Sequence, residues 1–265
     1  MEVISSTANP RIKDAATLQR RRVRRERGQH LVEGPHAVEA AVNAGVVTQL
    51  FCLETFDFTE LGAAADQAKA DATCVAPHVL AKLADTPAPQ GVVAVATTPA
   101  DTTLARLRRG VVVVADINDP GNVGTIIRTA EASGAAGVIL PHGAADPYSP
   151  KALRSAAGST YRMPLLTGLS VDELVDHATH AGWHLAVCDA SGTDDVNSFT
   201  PNEDVTLLCF GHETHGVNPQ LVAAANSKVA VTMFGAAESL NVSAAAAIAT
   251  YTLCAWYRTR SHAGE

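Results

Sequence analysis

Short apolar runs alternate with amphipathic segments throughout residues 110–265. Four consecutive valines at 111–114 are typical of a strand that is buried on both faces of a parallel sheet. The pattern predicts further strands at 136–141, 161–166, 183–190, 205–211 and 228–233. It predicts helices at 122–133, 149–158, 171–182, 218–226 and 239–258. We therefore expect an α/β fold with an open parallel sheet, helices on both faces, and ligands beyond the carboxyl ends of the strands.

The first 98 residues show the same alternation on a smaller scale. Asn9 and Pro10 form a favourable helix start, and residues 32–45 predict a turn followed by a helix. Short strands are predicted at 47–54, 72–77 and 91–98. The expected organisation is a small α/β domain at 1–98, a linker at 99–109 and a second domain at 110–265.

Positive charge is concentrated at one end of the chain. The whole chain has a formal net charge of −7, whereas residues 1–30 carry +5 and the remainder therefore −12. Six arginines form what we call the basic arm: Arg20, Arg21, Arg22, Arg24, Arg25 and Arg27. A solvated helix face would be the simplest explanation, but so dense a cluster repels itself unless an anion is near. We predict that the basic arm binds phosphates of a nucleic acid.

Composition excludes several classes of protein. Apolar residues make up 47% of the chain, which is enough for a core, yet no apolar run could cross a bilayer. The first residues lack the apolar centre of a signal peptide, so a cytoplasmic protein without membrane contact is expected. The five cysteines form no CxxC pair, and His212 and His215 are three apart rather than four. No metal site is therefore expected.

Three loops that follow predicted strands contain glycine and small polar residues, at 116–135, 210–216 and 233–243. Such residues allow a backbone to approach a ligand closely. Common nucleotide motifs do not explain them, because Gly121 and Gly124 supply only part of GxGxxG. The chain also has neither a Walker P-loop nor a GxSxG elbow.

In order and content, the three loops resemble motifs of the SpoU/TrmH family, and among its members the 23S rRNA methyltransferase branch. These are S-adenosylmethionine-dependent RNA 2′-O-ribose methyltransferases of the SPOUT superfamily. The matching residues are Asn122, Gly124 and Arg128, then Gly211, Glu213 and Gly216, and finally Ser-Leu-Asn-Val-Ser at 239–243. The resemblance implies a trefoil-knotted C-terminal methyltransferase domain, an N-terminal L30e-like α/β substrate-binding domain and a homodimer.

The resemblance also implies roles for individual residues. Gly211, Val231 and Leu240 would hold the methyl donor, next to an alanine-rich helix that permits close threading of the chain. Arg128 would bind phosphate and stabilise the developing ribose alkoxide, because a guanidinium stays protonated and is a poor base. The other members of the catalytic set would orient the substrate or Arg128, and they are Asn122, Glu213, Ser239 and Asn241.

The implied reaction is methyl transfer from S-adenosylmethionine to a ribose 2′-hydroxyl of structured RNA, with rRNA favoured over tRNA. A non-catalytic RNA-binding or assembly factor could share the fold, although the retained motif residues argue against it. A small-molecule enzyme with a nucleotide cofactor would leave the basic arm unexplained. The sequence leaves open the target nucleotide and the general base.

Overall fold

The chain forms two compact units that do not follow each other simply along the sequence. A computed structural model describes residues 3–201, 204–212 and 215–261. Unit 1 contains Met1–Ala100 and Asp146–Arg162, and unit 2 contains Asp101–Ala145 and Met163–Glu265. The predicted linker lies where unit 1 gives way to unit 2. Nothing in the local sequence pattern indicated that Asp146–Arg162 belongs to unit 1.

The described residues form eleven strands, ten α-helices and four short 3-10 helices. The strands are β1 (Gln29–Glu33), β2 (Val47–Cys52), β3 (Ala72–Cys74), β4 (Val92–Thr97), β5 (Gly110–Ala115), β6 (Gly137–Leu140), β7 (Leu165–Thr167), β8 (His184–Cys188), β9 (Asp194–Asp195), β10 (Val205–Phe210) and β11 (Ser227–Ala230). The α-helices are α1 (Pro10–Ala16), α2 (Arg21–Arg27), α3 (Pro35–Asn43), α4 (Ala65–Asp71), α5 (Pro77–Leu83), α6 (Pro120–Ser133), α7 (Pro150–Ala156), α8 (Val171–Ala181), α9 (Pro219–Ala224) and α10 (Val242–Ser261). The 3-10 helices are Thr17–Gln19, Phe58–Ala64, Leu104–Arg106 and Ser159–Tyr161.

Unit 1 is built on a four-stranded sheet with the order β1-β4-β2-β3. β4 pairs antiparallel with β1 and β2, and β3 pairs parallel with β2. Successive residues of β4 face two apolar clusters, because side chains alternate across a strand. Ala94 packs in one cluster with Val38, and Val95 packs in the other with Ile12 and Leu18. Ile12 and Leu18 precede the basic arm, and Val23 between its arginines packs against the same cluster, so this cluster anchors the arm to the unit.

A buried histidine ties the segment Asp146–Arg162 to the sheet of unit 1. His30 on β1 is fully buried, and its Nε2 lies 2.8 Å from the hydroxyl of Tyr161. Its Nδ1 lies 3.3 Å from the hydroxyl of Thr98, and its ring centroid lies 4.8 Å from that of Tyr148. Burial lowers the pKa of His30 to about 4, so the ring is neutral in the folded protein at neutral pH.

We expect His30 to make the protein less stable in mild acid. The unfolded chain binds a proton near the ordinary histidine pKa of about 6.5, whereas the folded chain resists protonation until about pH 4. Stability should therefore fall as the pH drops through this window. The loss from His30 between pH 7.5 and 5 is about 2 kcal/mol. Urea unfolding at both pH values measures it, and His30→Gln, which cannot titrate, should show a flatter pH dependence. Equal slopes would contradict the role of His30.

Unit 2 is built on a seven-stranded sheet with the order β7-β6-β5-β10-β8-β11-β9, in which every pairing is parallel. The valine run forms β5, which is buried from Val111 to Ala115, so the predicted parallel sheet is confirmed. Two details differ from the prediction. β7 begins at Leu165 because a 3-10 helix occupies Ser159–Tyr161, and the two-residue strand β9 was not predicted.

Helices cover both faces of this sheet, as predicted. Leu174 of α8 and Leu221 of α9 pack in one cluster with Leu207 of β10. The neighbouring Thr206 faces the opposite side, where its hydroxyl lies 3.0 Å from that of Tyr257 on α10. The prediction that α10 begins near Ser239 was wrong, because Asn241 is the capping residue and the helix begins at Val242.

Candidate active site

A large cavity opens at the carboxyl ends of three neighbouring strands of unit 2. It has a volume of about 780 Å³ and is lined by Cys188 at the end of β8, by Phe210 and Gly211 at the end of β10, and by Ala230 and Val231 at the end of β11. The loop between β11 and α10 supplies another wall. This is the edge of the sheet at which the sequence analysis placed the ligand.

Five of the predicted site residues meet in this cavity. Gly211, Val231 and Leu240, expected to hold the donor, all line it. Ser239 and Asn241, expected to orient the substrate, line it as well. Residues from three separate strand ends thus form one concave surface, to which the loops at 210–216 and 233–243 contribute, whereas no described residue of the loop at 116–135 lines it.

Gly211 is required by the backbone around it. A Cβ placed there would overlap the carbonyl oxygen of Gly216 and the Cα of Val217. The loop folds back tightly, since the N–H of His212 donates to the carbonyl of Gly216 at 2.9 Å and the N–H of Gly216 donates to that of His212 at 2.8 Å. The sequence analysis explained Gly211 by the close approach of a ligand to the backbone. The structure adds a second reason, because the loop can fold back in this way only with a glycine at this position. Glu213 lies outside the described residues.

Asn241 combines a helix cap with a place in the cavity wall. Its side-chain oxygen accepts from the N–H of Ser243 at 2.9 Å and from the hydroxyl of Ser243 at 2.6 Å. These bonds fix the first turn of α10, which has few other ways to satisfy its free N–H groups. The cap therefore holds the adjoining loop, with Ser239 and Leu240, in the conformation that closes the cavity.

The first motif begins next to the cavity but extends away from its lining. The N–H of Asp116 donates to the carbonyl of Phe210 at 3.0 Å, and Asp119 caps α6 by accepting from the N–H of Asn122 at 2.9 Å. Arg128 is exposed on α6 and makes no ion pair or hydrogen bond with the residues that the structure describes. Neither Asn122 nor Arg128 is among the described residues that line the cavity.

Two carboxylates near the cavity were missed by the sequence analysis. Asp189 lines it and accepts from the N–H of Ser191 at 2.7 Å and from its hydroxyl at 2.6 Å. These hydrogen bonds lower the pKa of Asp189 and keep it ionised. Burial raises the pKa of Asp116, and nearby His212 opposes that rise. An Asp-x-Ser sequence directly after a buried strand was the available signal for Asp189.

The chemistry of the lining fits a cationic donor. Asp189 and Glu238 contribute carboxylates, and the described residues of the lining include no lysine or arginine. S-adenosylmethionine carries a sulfonium and an ammonium group, which such a lining attracts. Strand-end backbone and the apolar Val231 and Leu240 supply the surface for its adenosine part.

In the basic arm, one arginine differs from the other five. Arg24 is 7% exposed, pairs with Asp146 at 2.7 Å and donates to the carbonyls of Leu18 and Gln19. It therefore joins the segment Asp146–Arg162 to the rest of unit 1. The other arginines are exposed, and two of them form surface ion pairs, Arg22 with Glu26 and Arg27 with Asp14.

No group of three or more His, Cys, Asp or Glu side chains that could hold a metal occurs within the described ranges. None of the helices there has the length and apolar character needed to span a bilayer.

Comparison with known families places both parts of the chain. The SpoU rRNA Methylase family model matches residues 109–251, and the model of the MRM3-like substrate binding domain matches residues 9–94. The first match contains all three motif loops and covers more than half of the chain.

Individual relatives agree with these matches over nearly their whole length. The 23S rRNA (guanosine(2553)-2′-O)-methyltransferase RlmP of Bacillus subtilis is 31% identical, over 96% of this chain and 99% of its own. An uncharacterized tRNA/rRNA methyltransferase of Synechocystis is 32% identical over 94% of this chain and 92% of its own.

A solved structure links the fold to the methyl donor. The crystal structure of the SpoU methyltransferase AviRb from Streptomyces viridochromogenes, in complex with AdoMet, is 32% identical. It aligns with a TM-score of 0.80 over 96% of this chain and 98% of its own. The chain belongs to the SpoU rRNA methylase family of S-adenosylmethionine-dependent RNA 2′-O-ribose methyltransferases.

Proposed function

We propose that this chain methylates a ribose 2′-hydroxyl of 23S rRNA, with unit 1 as the RNA-binding domain. The observation that carries the proposal is the cavity in which Gly211, Val231 and Leu240 meet at the ends of β10, β11 and the following loop. Relatives named as 23S rRNA 2′-O-methyltransferases favour this RNA over tRNA. Because the substrate would be ribosomal, we also propose a cytoplasmic location.

In this reaction the chain has to hold the donor and make a weakly acidic hydroxyl reactive. When bound, S-adenosylmethionine supplies an electrophilic methyl group on sulfur, with a neutral thioether as the leaving group. Asp189 holds the positive charge of the donor, and Ser239 and Asn241 orient the ribose. Arg128 binds phosphate and stabilises the negative charge that develops on the ribose oxygen as its proton leaves.

The proposed active site is completed by a second copy of the chain. Arg128 does not line the cavity of its own protomer, so a partner's copy of this residue would have to approach the donor. The outer face of α10 offers a surface for association. Ile248 is 42% exposed and Tyr251 63% exposed, while Ala249 and Leu253 on the inner face are fully buried. The trefoil knot of the family is part of the same proposal, with the small residues after Asn241 permitting the threading.

Charge placed on the outer face of α10 should dissociate the dimer. In an Ile248→Arg, Tyr251→Arg variant, each apolar contact would become an unpaired buried cation, which costs several kcal/mol. Sedimentation velocity should give a dimer for the wild type and a monomer for the variant, with donor affinity retained. A monomeric wild type at micromolar concentration would contradict the proposed assembly.

Removing charge from the basic arm should weaken RNA binding and its salt dependence. We expect replacement of Arg20, Arg21, Arg22, Arg25 and Arg27 by alanine to reduce the slope of log affinity against log salt by about 0.7–0.9 for each lost phosphate contact. Deleting residues 1–30 is a poorer test, because it removes Ile12 and Leu18 from the core. Alanine at the exposed Arg106 and Arg108 in unit 2 is the matched control. An unchanged slope would exclude the phosphate role.

The reaction itself is tested by transfer of labelled methyl from S-adenosylmethionine to total RNA from a strain without this modification. Label in large-subunit rRNA, at a 2′-O-methyl nucleotide, is the expected result. Label in tRNA instead would identify tRNA as the substrate. No label in any RNA, with donor binding intact, would favour a non-catalytic RNA-binding factor.

A further inference from the structure

One aromatic side chain beside the cavity is almost fully exposed to solvent. Phe234 is 94% exposed, the highest value among the large apolar side chains that the structure describes. The following residues, Gly235 and two alanines, are too small to cover it. Leaving a phenylalanine so exposed forgoes the stabilisation that its burial would provide, and because residues on both sides of it line the cavity, a molecule bound there could cover it.

Phe234 lies on a loop whose flanking residues line the cavity. Met233, its neighbour, lines the cavity, and the lining resumes at Ala237. No described atom lies within 4 Å of a Cβ built on the adjacent Gly235, so the loop is open on that side.

We propose that Phe234 stacks on an unpaired base of the RNA substrate, at or beside the nucleotide that is methylated. This inference rests on the proposed function. The accepting ribose has to reach the methyl group in the cavity, which brings its base to the rim. The described residues of the cavity lining include carboxylates but no lysine or arginine. Contacts between these residues and RNA are therefore largely non-ionic. A flat aromatic face on an unstacked base provides such a contact without reading sequence.

Three substitutions distinguish stacking from simple apolar contact. The probes are a single-stranded mixed-sequence ribo-oligonucleotide, the same sequence in a duplex, and a large-subunit rRNA transcript. Phe234→Ala and the matched Phe234→Leu should weaken single-strand binding, and raise KM for the transcript, by about tenfold, since one base stack contributes that order of affinity. Phe234→Trp should restore both values. Duplex binding, donor affinity and the oligomeric state should not change.

Each other outcome overturns the inference in an identifiable way. Wild-type affinity in Phe234→Ala or Phe234→Leu would show that no stacking occurs. A monomeric Phe234→Ala variant would assign the side chain to contact with a second protomer, and weakened donor binding would assign it to the cavity itself. If the wild type bound single-stranded RNA through Phe234 but transferred no methyl group, the proposed function would fail while this inference stood.

Discussion

Replacing Arg128 by alanine should lower kcat for methyl transfer by about 100-fold or more, the range seen when one group that stabilises a developing oxyanion is removed. The affinity for S-adenosylmethionine should remain that of the wild type, because Arg128 does not line the cavity. Its side chain is exposed on α6 and has no partner among the described residues, so stability should change little. Calorimetric donor titration and single-turnover transfer to the rRNA transcript measure the two quantities.

Two control variants separate the effect of the positive charge of Arg128 from that of its planar guanidinium. Alanine at the exposed Arg106 removes a similar surface cation outside the motif and should leave kcat unchanged. Arg128→Lys keeps the charge but loses the planar, bidentate guanidinium and should give an intermediate rate. Full transfer by Arg128→Ala would show that the catalytic assignment is wrong.

Replacing Gly211 by alanine should impair donor binding. The added Cβ overlaps backbone atoms of Gly216 and Val217, which cannot rotate away as a side chain could. We expect the loop to shift, with donor affinity reduced more than about tenfold and stability by about 1–3 kcal/mol, as for overpacking in a well-packed interior. Calorimetric donor titration and urea unfolding measure these effects.

Gly235→Ala is the matched control for Gly211→Ala. Gly235 lies in the loop that forms another wall of the cavity, and no atom lies within 4 Å of its Cβ position, so both quantities should stay near wild type. Donor affinity in Gly211→Ala equal to that of wild type would disprove the steric argument.

If the active site is shared between two protomers, mixing the Gly211→Ala and Arg128→Ala proteins should restore part of the methyl transfer that each variant lacks.

The sequence pattern predicted most of unit 2 because the residues within each of its strands and helices determine that element. The valine run of β5 could only be a buried strand, and Asp119 and Pro120 start α6 with a cap and a preset backbone angle. The motif resemblance singled out Gly211, Val231 and Leu240, which line one cavity because β10 and β11, the strands that precede them, are separated in the sheet only by β8.

Elements that depend on distant partners were missed. β1 contains a histidine at its second position, and the ring of the fully buried His30 finds its partner in Tyr161, far along the chain. Arg24 looked like the other arginines of the basic arm until Asp146 proved to hold it inside unit 1. The start of α10 was placed at Ser239 because serine and asparagine are both good caps, and only the hydrogen bonds of Asn241 decide between them.

Because segments of the two units alternate along the chain, the units are completed in a fixed order during synthesis. When residues 1–100 have left the ribosome, the ring of His30 and the guanidinium of Arg24 have no Tyr161 or Asp146 to meet. A buried polar group left without its partner costs about 1–3 kcal/mol, which is a large share of the stability of a small domain. The N-terminal unit therefore reaches its final state only after Asp101–Ala145 of the other unit has been made, and a nascent chain halted at the linker would hold an unfinished unit 1.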